Sequence, residues 1–377
     1  MHSKLPNVGT TIFTVMSKLA QESNAINLSQ GFPDFEIDSK LIELTHEAML
    51  NGHNQYAPMP GHPLLTHRLA EKIKSLYNKK LDPSKEITVT SGATEALLCT
   101  IQALVHFQDE VIILEPAYDS YIPVVELCGA KPVIVELSAP EYKVDWNKVA
   151  SKITSKTKMI IVNTPHNPTG AIFSQQDLDA LEKIALQHGI FVLSDEVYEH
   201  LTFEQKHASI LSRPNLAEQA IAVYSFGKVL HATGWKLGYL VASDSVTNEI
   251  RKVHQFATFS SPTPMQIAIA SYLEDPDTYL ELGNFFQKKR DLFQEGMQES
   301  RFELLPCNGT YFQSASYKNI SDIADLEFAK ELTIKHKVAA VPMSAFYQSG
   351  KDEKVLRFCF AKKEETLLKA AEILCRI

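Results

Sequence analysis

Between Ile87 and Val241 seven short apolar runs alternate with longer amphipathic stretches, and no other feature of the chain narrows its possible folds as much. The runs are Ile87–Thr90, Val111–Leu114, Pro132–Glu136, Met159–Asn163, Phe191–Ser194, Ile221–Ser225 and Leu237–Val241. Each has strand length and is rich in β-branched residues. Helix-period patterns such as Ala93–Val105, Tyr118–Leu127 and Gln175–His188 fall between them. Parallel strands need long crossover connections, which helices supply. The alternation therefore predicts an α/β fold with a seven-stranded, mainly parallel sheet between helices.

After Asp275-Pro276-Asp277 the texture changes. A charged helical stretch, Thr278 to Glu299, leads into strand-like Phe302–Leu305, Gly309–Ser316, Val338–Val341 and Val355–Ala361. Helical patterns at Asp325–His336 and Lys363–Leu374 accompany them, which predicts a smaller α+β domain. A chain of 377 residues exceeds one comfortable core, so two domains are expected. The expected division is a large domain over 36–280 and a small one over 281–377. The first 35 residues, which carry turns but no strand–helix–strand pattern, are expected to join the small domain.

Composition removes several function classes. Net charge is −8 with no basic stripe, which argues against nucleic acid as a partner. Apolar runs are only strand-length, so no membrane span is expected. Five cysteines without a C-x-x-C pair point to reduced thiols and a cytoplasmic setting. No His-Glu-x-x-His or cysteine–histidine set suggests a metal, and no Gly-x-Gly supports a dinucleotide fold.

The polar clusters share one location. Ser91-Gly92-Ala93-Thr94 follows the first run, Glu115-Pro116-Ala117-Tyr118 the second, and Asn163 through Gly170 the fourth. Asp195-Glu196-Val197-Tyr198 follows the fifth and Ser225-Phe226-Gly227-Lys228 the sixth. In an open α/β sheet ligands bind outside the carboxyl ends of the strands, so these clusters converge on one edge. Singly, each has a plain reading. Ser91–Thr94 can offer N–H groups to a phosphate or simply cap a helix. Asp195 ends an apolar strand and needs a partner, which can be a ligand cation, a salt bridge or a helix cap. Tyr118 can stack on a planar ring or fill a core. Lys228 is either an exposed lysine or a desolvated amine able to form a Schiff base.

Together and in order, Asn-x-x-x-Asn-Pro-Thr-Gly (163–170), Ser-Asp-Glu-Val-Tyr (194–198), Ser-Phe-Gly-Lys (225–228) and Ala-Thr-Gly-Trp-Lys-Leu-Gly (232–238) resemble the class I, fold-type I, pyridoxal-5′-phosphate (PLP) aminotransferases. Gly9–Ala20, Gln30–Asp34, Asn54–Pro60, Pro306–Phe312 and Arg357–Lys363 extend the resemblance over nearly the whole chain. The likeness is greatest to the subgroup of bacterial methionine, kynurenine and glutamine-K aminotransferases.

The resemblance implies roles. Lys228 links to the cofactor and shuttles a proton, Asp195 pairs with the pyridine nitrogen, and Asn167 and Tyr198 donate to the ring oxygen. Tyr118 stacks on the ring. Ala93, Thr94, Ser225 and Lys236 hold the phosphate. Tyr56 reaches the partner subunit's phosphate, implying a homodimer with shared sites. Arg357 anchors the substrate carboxylate, with Gly31 offering backbone to it; read alone, Arg357 is equally a surface arginine on a half-exposed strand. Asn167 also faces the substrate. Phe13, with Ile12 and Val15, suggests an apolar entrance for methionine or aromatic side chains. His254–Gln266 contains no arginine to grip a second carboxylate, so aspartate is expected to be a poor substrate. The competing readings are a β-lyase on the same fold, whose sequences read Asp-Glu-Ile-His where this one reads Asp-Glu-Val-Tyr, and a non-catalytic PLP-binding regulator.

Overall fold

Parallel strands buried on both faces must be apolar throughout, and the seven runs do form one such sheet. The structure is a computed structural model describing residues 2–377; the expectation for the N-terminal segment falls partly on Met1, outside the described residues. In chain order the strands are β1 (Ile26–Asn27), β2 (Ile87–Thr90), β3 (Glu110–Glu115), β4 (Lys131–Glu136), β5 (Thr157–Asn163), β6 (Phe191–Asp195), β7 (Ala220–Ser225) and β8 (Gly238–Val241). They continue as β9 (Glu303–Leu304), β10 (Phe312–Ser316), β11 (Val338–Ala339), β12 (Val341–Pro342) and β13 (Val355–Cys359).

The large sheet has the order β2-β8-β7-β6-β5-β3-β4. Every pairing is parallel except those of β8, which runs antiparallel to β2 and β7. The cause is the connection from β7 to β8. It carries only the four-residue helix Phe226–Val229 and a three-residue turn, Thr233–Trp235, too little for a crossover. Consequently β8 starts at the edge where its neighbours end, which brings Lys236 and Leu237 to the carboxyl edge of the sheet. Alternation within the strands feeds two cores. Ile112, Leu114, Ile160, Val162 and Val192 pack on one face, and Val111, Ile113, Met159, Ile161 and Leu193 on the other.

The second sheet has the order β12-β13-β10-β9, all antiparallel. Separately, β1 pairs with β11 in parallel, Ile26 beside Val338, so the N-terminal segment is stitched to the C-terminal third. Two expected elements are broken. Val338–Val341 divides at Ala340 into β11 and β12, which join different sheets. The helical stretch from Thr278 divides into Asp277–Leu280 and Leu282–Gly296. No helix among the described residues is long and apolar enough to cross a membrane.

Helix Pro63–Tyr77 carries a charge into this interior. Lys72 is buried and pairs with Glu199, the residue after Tyr198. Its amine also donates to the Tyr239 hydroxyl at 3.2 Å, and Tyr77 donates to the second Glu199 oxygen at 2.8 Å. Burial alone would raise the Glu199 pKa, but Lys72 holds it below the ordinary carboxylate range. The pair therefore stabilises the fold above the ordinary glutamate value of 4.5 and loses that contribution as pH falls toward the lowered folded value. Lys72→Met strands a buried carboxylate and is expected to lower unfolding free energy at neutral pH by about 3–5 kcal/mol. Adding Glu199→Gln should recover most of that loss, and urea unfolding of both variants checks the pair.

Candidate active site

The site is built where β2, β5, β6 and β7 end and β8 begins. Helix Gly92–Leu104 starts directly after β2, and its entry turn sets Gly92 at φ +76°, a conformation that favours glycine. Its first free N–H groups belong to Ala93 and Thr94. Ser225 ends β7 on the other side, and Lys236 sits in the left-handed region at φ +52°. Gly238 lets β8 pass underneath, since a Cβ there would lie 2.8 Å from the Ala93 nitrogen and 2.5 Å from the Tyr224 oxygen. The Lys236 amine lies close to the same turn, 3.5 Å from where a Gly92 Cβ would be. A lysine amine set against the positive end of a helix is repulsive unless an anion lies between them.

Asp195 ends β6 and is 4% exposed. It accepts a hydrogen bond from the Tyr121 hydroxyl at 2.6 Å and one from the Val197 amide at 3.4 Å. Burial raises its pKa to about 6 despite these donors. Among the described residues it has no salt-bridge partner, so the salt-bridge reading of Asp195 is set aside. Tyr121 was not foreseen in the sequence; the only signal was a second tyrosine three residues beyond Tyr118.

Lys228 lies on the short helix after β7, and its amine donates to the Tyr311 hydroxyl at 3.0 Å and approaches the Gly31 carbonyl at 3.5 Å. It is not an exposed lysine: burial lowers its pKa to about 8. Tyr311, also unforeseen, donates to the Gly31 carbonyl at 2.6 Å and meets the Tyr198 ring edge-on, centroids 5.2 Å apart. A Cβ at Gly31 would lie 2.9 Å from the end of the Phe312 ring, which would have to shift to admit a side chain.

Arg357 is 1% exposed, and all five residues of β13 are buried, so the expected alternative of a half-exposed strand does not hold. Its Nη1 donates to Asn167 Oδ1 at 2.8 Å and its Nη2 to the Ser29 carbonyl at 3.0 Å, while Nε has no partner. The guanidinium stacks 3.9 Å from the Phe312 centroid, with Phe346 and Phe13 at 5.1 and 5.2 Å. Burial lowers its pKa to about 10. Because arginine only donates, Asn167 turns its oxygen to Arg357 and keeps its amide N–H groups for other acceptors. The Asn167 backbone N–H is fixed by Asn163 Oδ1 at 2.8 Å.

A cavity of about 180 Å³ gathers Ala93, Thr94, Tyr118, Asn167, Asp195, Tyr198, Ser225, Lys228 and Lys236 in its wall. Arg357, Gly31 and Phe13 stand outside that wall. Tyr56 is not part of it; 82% exposed, it meets Phe259 with ring centroids 5.5 Å apart. The order of strands separates the charges. The anion-seeking groups belong to β2, β7 and β8, Asp195 and Asn167 to β6 and the loop after β5, and Lys228 follows β7. A cradle for a phosphate, a carboxylate for a ring nitrogen and a desolvated amine form a donor set that fits PLP.

A family model described as aminotransferase class I and II matches residues 23–374. The methionine aminotransferase of Escherichia coli is 50% identical, covering 98% of this chain and 96% of its own. Human kynurenine–oxoglutarate transaminase 3 is 34% identical over 98% of this chain and 88% of its own. A solved E. coli structure identified with a methionine aminotransferase function superposes with a TM-score of 0.98 at 49% identity, covering 100% of this chain and 99% of that one. A match of this length, together with a site that fits the cofactor, makes the chain a member of the class I and II aminotransferases, enzymes that depend on PLP.

Proposed function

We propose that this aminotransferase takes methionine as its favoured amino donor and passes the amino group to a 2-oxo acid. The observation that carries the reading is Arg357: a buried guanidinium with no carboxylate at salt-bridge distance among the described residues, framed by aromatic rings and bonded to cavity residue Asn167. It suits an amino acid that brings one carboxylate and an apolar side chain. The named likeness to methionine aminotransferases supports the same choice.

Bound PLP supplies an electron sink that lets the Cα–H bond of an amino acid break. Lys228 would hold the cofactor through its amine and would serve as the base that takes up and returns the substrate's Cα proton. Its lowered pKa leaves the amine able to accept that proton near neutral pH. Asp195 keeps the ring nitrogen protonated, and Tyr121 fixes the carboxylate for that task. Asn167 and Tyr198 donate to the ring oxygen, and Tyr118 covers the ring face. Ala93, Thr94, Ser225 and Lys236 bind the phosphate. Arg357 grips the substrate carboxylate with Gly31 beside it, and Phe13 closes the apolar side.

The chain acts as a homodimer in which Tyr56 reaches the partner subunit's phosphate site. Its 82% exposure against the part-exposed Phe259 ring supports this reading, since contiguous exposed apolar groups mark interfaces. The setting is cytoplasmic, in keeping with five free cysteines. The division into a large domain over 36–280 and a small one over 281–377 joined by the N-terminal segment draws support from the β1–β11 pairing.

Added methionine, without an oxo acid, should convert the lysine-linked absorption band into that of the cofactor's amine form, and aspartate should do so far more slowly. Lys228→Ala should abolish the band and reduce turnover by orders of magnitude; full activity in that variant would refute the assignment. Arg357→Lys keeps the charge but loses the two-pronged grip, and is expected to reduce kcat/KM for methionine roughly 10- to 100-fold, mostly through KM. Apoenzyme should take up PLP at a rate that rises with pH and levels off above about 8, because the neutral amine is the reacting form. A midpoint near the ordinary lysine value of 10.5 would mean that the amine is not desolvated.

A further inference from the structure

Glu95 lies in the first turn of helix Gly92–Leu104, next to Ala93 and Thr94, and its carboxylate bonds back to the Ser91 amide. A carboxylate there competes with any anion for the positive end of the helix. His254 faces it, Nδ1 to Oε1 at 2.6 Å, and is 0% exposed. The other ring nitrogen, Nε2, lies 3.1 Å from the Met59 carbonyl. A carbonyl only accepts, so Nε2 bears a hydrogen, and the short contact to Glu95 holds another proton between ring and carboxylate. The pair is therefore electrically neutral as a unit, and the cradle keeps its positive end for a phosphate. Cys99 completes a cluster of metal-ligating types, but burial pushes its thiol up to about 12.

Met59 belongs to the loop that carries Tyr56, and this loop is pinned carbonyl by carbonyl. Thr263 donates to Gln55 at 2.6 Å, Ser260 to Ala57 at 3.0 Å and the Val89 amide to Pro60 at 2.8 Å. Gly61, at φ +121°, presses so closely on Val89 that a Cβ would lie 2.4 Å from Cγ2. Among the side chains that pin it, His254 alone also bonds a side chain of the cradle helix. Tyr56, carried by this pinned loop, is 82% exposed and takes no part in the wall of its own subunit's cavity.

We propose that His254 is a positioning residue that couples the two sites of the dimer: it ties the phosphate cradle of one subunit to the loop offered to the other, so that cofactor binding and dimer assembly strengthen each other. This rests on the proposed dimer with Tyr56 at the partner's site.

Sedimentation of the full chain with and without PLP tests the coupling. Cofactor should tighten the wild-type dimer by about 5- to 150-fold, the usual range of such linkage. His254→Gln can still reach Met59 but gives up Glu95, and His254→Asn can still reach Glu95 but gives up Met59. Each should bring the apo-to-holo ratio of dimer dissociation constants toward one. Thr263→Val, which frees the loop without touching Glu95, should weaken both forms alike and leave the ratio intact. Glu95→Gln, able to make both bonds without charge, should retain it too. An unchanged ratio in both His254 variants would overturn the proposal, as would a ratio that Thr263→Val abolishes. A wild-type chain that stays monomeric even with PLP would instead overturn the dimer reading beneath it.

Discussion

The buried guanidinium of Arg357 is the contact on which the arrangement of the rest depends. It joins β13 to Asn167, in the loop after β5, and to Ser29, in the N-terminal segment. Three distant stretches of chain thus meet on one side chain. Taking an arginine out of water without a counter-ion is costly. Here two neutral oxygens and the faces of Phe312, Phe346 and Phe13 offset part of that cost, and Nε remains unbonded. The same logic recurs at Asp195 and Lys228. Burial moves all three groups toward their neutral forms: the carboxyl up, the amine and the guanidinium down. Each lacks a protein partner of opposite charge at salt-bridge distance among the described residues. A site that holds such charges apart gains most from a ligand that brings a cationic ring nitrogen, a carbonyl carbon and a carboxylate to them.

The parts legible in the sequence are those set by local pattern. The seven runs became the seven strands of the large sheet, and helices Gln175–His188 and Asp325–His336 have the bounds their periodicity predicts. The clusters at the strand exits also met as expected, because a parallel sheet delivers every strand end to one edge. What stayed hidden depends on contacts between distant segments. Tyr121 lies outside the motifs and Tyr311 inside a family-like stretch, but the role of each lies in a carboxylate 74 residues away and an amine 83 residues away. The Lys72–Glu199 pair was equally silent, since a lysine on an amphipathic helix reads as solvent-facing until the tertiary fold closes over it. The break at Ala340 was invisible too, because a run of apolar residues does not say that its halves join different sheets.

Backbone conformation at the cradle explains why its residues could be named but not placed. A left-handed conformation at a non-glycine residue is unfavourable, and Lys236 adopts one at the entrance to β8. The antiparallel entry of β8 requires a sharp reversal after the short turn Thr233–Trp235, and Lys236 makes it. That reversal sets the amine against the start of helix Gly92–Leu104, while Gly238 admits the close pass of two backbones. The reversal, the glycine and the helix start together shape the cradle proposed for the phosphate, and none of them suffices alone.

Substrate preference follows from where the remaining polarity is committed. A dicarboxylic amino acid needs a second cation near the far end of its side chain. Around Arg357 the neighbours are ring faces, and Phe13 meets Phe346 edge-on, centroids 5.9 Å apart. Several polar residues of His254–Gln266 are engaged elsewhere: His254 on Met59 and Glu95, Ser260 on Ala57, Thr263 on Gln55, and Gln266 on the His62 amide and the Ser261 carbonyl. The bonds of His254, Ser260, Thr263 and Gln266 hold the Tyr56 loop, so these four side chains cannot turn toward a second carboxylate without releasing it. Apolar side chains such as that of methionine need no such partner and bury against the rings. The segment that braces the loop is also the one without an arginine, in line with the proposed preference for methionine over aspartate.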